Sequence, residues 1–169
     1  MSGRDAMATD ALDTLGDQLA QCRRQGVVAD LPLAEIKTLD HAEAVQADAI
    51  DAYDRDLRGY SLQATSALTR RLLNCHTPIV APIAASEIIA NGAHVRLPFG
   101  ALGIGCGFAF LFGRSFPATD DALDLNPQDA ISACLPMAQL LGRRVGGAAA
   151  LDELTATADF ALNIVVATG

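Results

Sequence analysis

Few side chains in this sequence are spaced for chemistry. The histidines His41, His76 and His94 stand in unrelated segments, and an isolated histidine is more often a surface or capping residue than a catalytic one. Cys75-His76 sets a thiol beside an imidazole, but neighbouring side chains in extended backbone point apart, which defeats a thiolate–imidazole couple. Cys22, Cys75, Cys106 and Cys134 are widely spaced and form no Cys-x-x-Cys pair, so neither a zinc site nor a disulfide framework is indicated. The GIGCG run at 103–107 echoes a dinucleotide loop yet lacks the GxGxxG spacing and continues into strand-like residues. Asp120, Asp121 and Asp124 read as a solvated acidic turn. What remains conspicuous is glycine. Gly103, Gly105 and Gly107 alternate through ALGIGCGFAFLFGR, residues 101–114, where glycine weakens a strand and marks a bulge, a bend or a close approach.

The surrounding elements follow from periodicity. Leu12, Leu15, Leu19 and Cys22 have helical spacing, which predicts a helix over 10–25 capped by Asp10 and stopped by Gly26. A second helix is expected over 39–59, with Asp40 and Glu43 as a capping box and Gly59 as its end. Residues 60–65 read as extended, 66–74 as a short helix, and 77–88, with two prolines, as an irregular extended wall. Strands are expected over 93–98 and 101–112. Asn126-Pro127 reads as a helix start leading into 128–135, followed by an extended 136–142, a short helix over 151–159 and a closing strand over 160–169. Helices first, then mixed strands, indicate an α+β fold. The closing strand ends on Gly169 with no following partner, so an uncovered edge is expected, and with it either further chain or a second chain.

Composition narrows the function classes. A chain of 169 residues, 51% of them hydrophobic, is long enough for one cored domain over 1–169, with 1–37 as helix and linker and 38–169 as helix plus sheet. The formal net charge of -8 disfavours nucleic acid and anionic membranes as partners. No apolar run approaches the roughly 18 residues of a membrane span, and the N-terminus carries acids where a signal peptide carries bases. A soluble, cytoplasmic protein is the expectation.

Four pieces in order, AEAVQADAIDAY, GYSLQATS, FAFLFGRSFPATD and DAISACLPMAQLLGRR, resemble the 2-keto-4-pentenoate hydratase and 4-oxalocrotonate decarboxylase group of the fumarylacetoacetate hydrolase superfamily, from about residue 40 to the end. The resemblance implies a mixed β-roll with flanking helices, here short at its C-terminus, and a substrate class of small 2-oxo or 2-hydroxydienoic acids. In that group a Glu-x-Glu pair and a third glutamate hold a divalent ion that chelates the keto-acid and stabilises an enolate. The matching positions here are Gly105, Gly107 and Gln139, and the group's lysine falls on Ser61. Thr65, Ser66 and Asp159 still match the pattern; the asparagine usual after that aspartate is Phe160.

Two glycines and an amide supply no anionic ligand, so the sequence predicts that the metal chemistry is gone and no cofactor replaces it. The expected function is a metal-independent lyase, isomerase or cyclase acting on a small enolisable acid. Asp159 or Cys106 would transfer the proton, and Ser61, Thr65, Ser66, Gln139, Gly105 and Gly107 would line the substrate. The alternative expectation is a catalytically silent relative that serves as a scaffold, either in a homo-oligomer or as partner of an intact hydratase or decarboxylase. Thr65 and Ser66 equally suit the cap of the helix that follows them.

Overall fold

The structure, a computed structural model, describes residues 3–117, 126–146 and 150–169, and for residues 3–13 the backbone alone. The expected acidic turn at Asp120, Asp121 and Asp124 lies outside the described residues.

Helix α1 spans Gly3–Gln25 and α2 spans Leu39–Tyr53. The first begins seven residues before the expected cap at Asp10 and stops where expected, at Gly26 with φ +64. The second differs at both ends. Its cap is Thr38, whose side chain accepts the backbone N–H of His41, and its last turn closes at Asp54 in the left-handed region. Aspartate tolerates that conformation, so the helix ends there and Gly59 falls inside a strand. The two helices pack through Leu15, Leu19, Val45 and Ala49. Gly16 allows the close approach, since a Cβ there would lie 2.7 Å from Asp48 Cβ.

Strand β1 (Leu57–Gln63) pairs antiparallel with β2 (Ile79–Ala84), and α3 (Ala67–Leu73) connects them. The wall expected over 77–88 is thus mostly regular strand; Pro82 is accommodated because this sheet has two strands and each is an edge. The second sheet has the order β3-β6-β5-β4, with β3 (Ile88–Ile89) parallel to β6 (Asn163–Thr168) and the long β4 (Ala101–Phe112) and β5 (Ile131–Gly142) antiparallel.

Two expectations fail here. Residues 93–98 carry no strand. The helix expected after Asn126-Pro127 is a single 3-10 turn, Pro127–Ala130, after which β5 begins. Half-buried and exposed residues alternate from Ile131 to Ala138, the period of a strand, and Pro136 bars a helix through the same stretch. Helix α4 (Glu153–Ala158) forms as expected, capped by Asp152. Between it and β6, Phe160, Ala161 and Leu162 all take positive φ, so the closing strand starts at Asn163. The fold is α+β, helices first. One buried cluster joins α1, α2, α4, β2 and Phe160. No helix among the described residues is long and apolar enough to cross a membrane.

Candidate functional site

Strand register assembles the site. Gly105 pairs with Gln139 and Gly107 with Met137, and directly opposed residues of an antiparallel pair share a face. Both glycines therefore lie on the side of the sheet to which Gln139 points. A Cβ at Gly105 would sit 3.7 Å from Leu141 Cδ1, and one at Gly107 3.2 Å from Met137 Cε. Side chains fit at both positions once the methionine end yields.

On that face a chain of buried amides runs inward. Gln139 Nε2 donates to Ser61 Oγ at 2.6 Å and to Asn163 Oδ1 at 2.7 Å. Gln63 Nε2 donates to Gln139 Oε1 at 2.6 Å and to Ser61 Oγ at 3.2 Å. Asn163 Nδ2 in turn donates to Glu87 Oε2 at 3.4 Å. Three strands meet here, since Ser61 and Gln63 belong to β1, Gln139 to β5 and Asn163 to β6.

Glu87 sets the polarity of this chain. A carboxylate only accepts hydrogen bonds, so Asn163 must turn its NH2 group toward it. The Asn163 oxygen then faces Gln139, which presents its own NH2 group, and the Gln139 oxygen receives Gln63. At the outer end the chain leaves one donor. Ser61 accepts two N–H groups and has its own proton left to give, whereas half-buried Gln63 spends both amide protons on Ser61 and Gln139 and keeps its carbonyl oxygen free among the described residues. Glu87 is itself clamped: Arg23 Nε lies 2.6 Å from its Oε1 and Arg23 Nη2 2.5 Å from its Oε2. It also accepts the Ala84 backbone N–H at 3.1 Å and the Tyr53 hydroxyl at 3.3 Å. The Arg23 guanidinium lies 4.0 Å from the Phe160 ring centre and 4.6 Å from that of Tyr53, which desolvates and orients it.

Asp159 forms a second buried pair. Its Oδ1 receives Arg144 Nη1 at 2.9 Å and its Oδ2 the Arg144 backbone N–H at 2.7 Å, and Arg144 also donates to the Asn163 carbonyl. Burial holds the Asp159 carboxyl above its ordinary value, opposed by the charge of Arg144.

The site residues expected from sequence thus fall into three groups. Ser61, Gln139, Gly105 and Gly107 share one face. Asp159 reaches that face only through Arg144 and Asn163. Cys106 alternates to the opposite, exposed side of β4, and Thr65 and Ser66 are exposed at the start of α3. Ser66 caps α3, accepting the Thr69 N–H at 3.1 Å. The sequence reading passed over Gln63, Glu87, Asn163, Arg23 and Arg144. Arg23 carried a signal, since it lies four residues after Leu19 on the buried stripe of α1. Glu87 carried one too, as the lone acid of the apolar 79–90 run.

A divalent ion does not fit this face. Magnesium and calcium take oxygen ligands and carboxylates above all, whereas Gly105 opposite Gln139 and Gly107 on the same face supply none, and Gln139 turns its nitrogen to Ser61 and Asn163. Among the described residues no group of three or more His, Cys, Asp or Glu is placed to hold a metal ion.

No known protein family matches the chain by sequence, and no curated protein does. Solved structures match by fold. The 4-oxalocrotonate decarboxylase from Pseudomonas putida G7, complexed with calcium and acetate, superposes with a TM-score of 0.71 at 18% identity, over 95% of this chain and 62% of that one. The same decarboxylase complexed with magnesium and adipate gives 0.72 at 17% identity, over 100% and 64%. The chain spans less than two thirds of the length of these structures, and at this identity what they share with it is the fold.

Proposed function

We propose that the face built by Ser61, Gln63, Gln139 and Asn163 holds an oxygen of a small 2-oxo or 2-hydroxydienoic acid, or of a comparable enolisable acid, and promotes lyase, isomerase or cyclase chemistry without a divalent ion. The observation that carries this reading is the Ser61 hydroxyl proton, which the polarity imposed by Glu87 leaves as the donor at the outer end of the chain. A cation needs acceptors at such a place; a carboxylate or an enolate oxygen needs donors. When carbon dioxide leaves such an acid, or a proton leaves its α-carbon, charge moves onto the carbonyl oxygen. A fixed donor aimed at that oxygen, here the Ser61 hydroxyl, stabilises it as it forms. The fold likeness to a decarboxylase whose complexes contain acetate and adipate supports the choice of small acids as ligands.

In this reading the Ser61 hydroxyl donates to the substrate oxygen, Gln63 and Gln139 position Ser61, and Asn163 and Glu87 hold Gln139. Asp159, with both oxygens engaged by Arg144, acts on the position of Asn163. The test is an ultraviolet assay with 2-hydroxypenta-2,4-dienoate, run in EDTA and again with magnesium. Turnover that survives EDTA and is lost in Gln139→Leu is the expected result. Turnover that appears only with magnesium, or in neither condition, overturns it.

A further inference from the structure

The outward side of the β4–β5 hairpin has no cover among the described residues. Alternation turns Ile104, Cys106, Phe108 and Phe110 away from Gln139, and the register sets Ala138, Pro136 and Cys134 beside the last three. Ile104 and Phe108 are each 70% exposed and Phe110 56%, and both cysteines are exposed. At these exposures the patch offers on the order of 500 Å² of apolar surface, the upper range of what a monomer leaves bare. Strands that face water are normally guarded by charge. Neither β4 nor β5 contains a charged residue.

We propose that this face docks against the same face of a second copy of the chain, around a two-fold axis. Three observations select that occupant. The surface is apolar from end to end, so it is complementary to itself, as an isologous contact requires. The chain carries a formal charge of -8, so two copies repel through most of their surface, and the charge-free strands β4 and β5 are where that repulsion is least. The patch also supplies most of the roughly 800 Å² per partner of a standard interface, in the face-to-face geometry that two sheets adopt about 10 Å apart. The inference stands apart from the chemistry proposed for Gln139, which lies on the other side of the sheet.

Sedimentation velocity from low to high micromolar concentration tests it. A reversible dimer is expected, and Phe108→Asp, which buries a pair of carboxylates in the contact, is expected to sediment as a monomer with an unchanged circular dichroism spectrum. Thiol alkylation gives a second readout that needs no variant. Cys106 and Cys134 lie in the contact, so in the wild-type protein they are expected to react several-fold more slowly at high than at low protein concentration. A wild-type monomer at every concentration overturns the proposal. So does a dimer in which Cys106 and Cys134 react at a rate independent of concentration.

Discussion

The amide of Gln139 lies 2.6 Å from Ser61 Oγ and 2.7 Å from Asn163 Oδ1, so one buried side chain ties β5 to β1 and to β6. Replacing it with glutamate turns a double donor into an acceptor that faces another acceptor, the Asn163 oxygen. A buried polar group left without its partner costs about 1–3 kcal/mol, which for a chain of this size lowers the melting temperature by roughly 2–4 °C per kcal/mol. Gln139→Glu is expected to melt correspondingly lower and to bind adipate at least about tenfold more weakly, a difference of 1.4 kcal/mol. Calorimetry and ligand titration check the two parts separately.

The Arg23–Glu87 pair is almost wholly buried, with side-chain exposures of 1% and 8%, and the Arg58–Asp56 pair is exposed at 64% and 68%. That difference decides their worth. Removing one partner of a buried pair strands the other charge at a cost of about 3–5 kcal/mol, whereas an exposed pair contributes about 0–1 kcal/mol. Urea unfolding is expected to show Glu87→Gln destabilised in the first range and Arg58→Ala scarcely changed. Equal effects from the two substitutions contradict the burial described here.

Asp159 gives a pH dependence of defined sign. Burial raises its carboxyl above the ordinary value against the pull of Arg144, so over a window above that value the folded chain keeps a proton that the unfolded chain has released. The stability contributed by this group is complete below the unfolded value, of about 3.9. It declines as pH rises through the folded value and is level beyond it. The melting temperature of the wild type minus that of Asp159→Asn is therefore expected to fall between mildly acidic and neutral pH. A rise over that interval contradicts the assignment.

Gly105 and Gly107 have room for side chains on the face of Gln139. The combined variant Gly105→Glu, Gly107→Glu, Gln139→Glu puts three carboxylates on that face, a donor set suited to magnesium or manganese. Metal bound only by the folded state raises the melting temperature by mass action. Millimolar magnesium is expected to stabilise the triple variant and leave the wild type unmoved. Stabilisation of the wild type by the same amount contradicts the account of this face.

The architecture was legible where local chemistry is specific. Gly26 stops α1, Ser66 caps α3, and the alternating glycines announced a strand with something unusual on one side. The helix expected after Asn126-Pro127 was misread because a proline at the first position starts a single 3-10 turn as readily as an α-helix; the alternation beyond Ile131 was the better guide. Thr38 was missed as the cap because Asp40 and Glu43 offer the same signature two residues later. In the candidate site, the grouping of Ser61, Gly105, Gly107 and Gln139 followed from the resemblance. Strand alternation alone could have set Cys106 apart from its glycine neighbours. Glu87 stood out only as the lone acid of an apolar run, and the partners of Glu87 and Asn163 were not legible, because they lie on other strands and helices and no sequence spacing encodes that meeting.

The central claim is that this face recognises an acid through the fixed Ser61 hydroxyl and without a metal. Isothermal titration of the wild-type protein with adipate, in EDTA and then in magnesium, tests it most directly. The account predicts saturable binding of equal affinity in both buffers. Binding that requires magnesium, or no binding in either buffer, contradicts it.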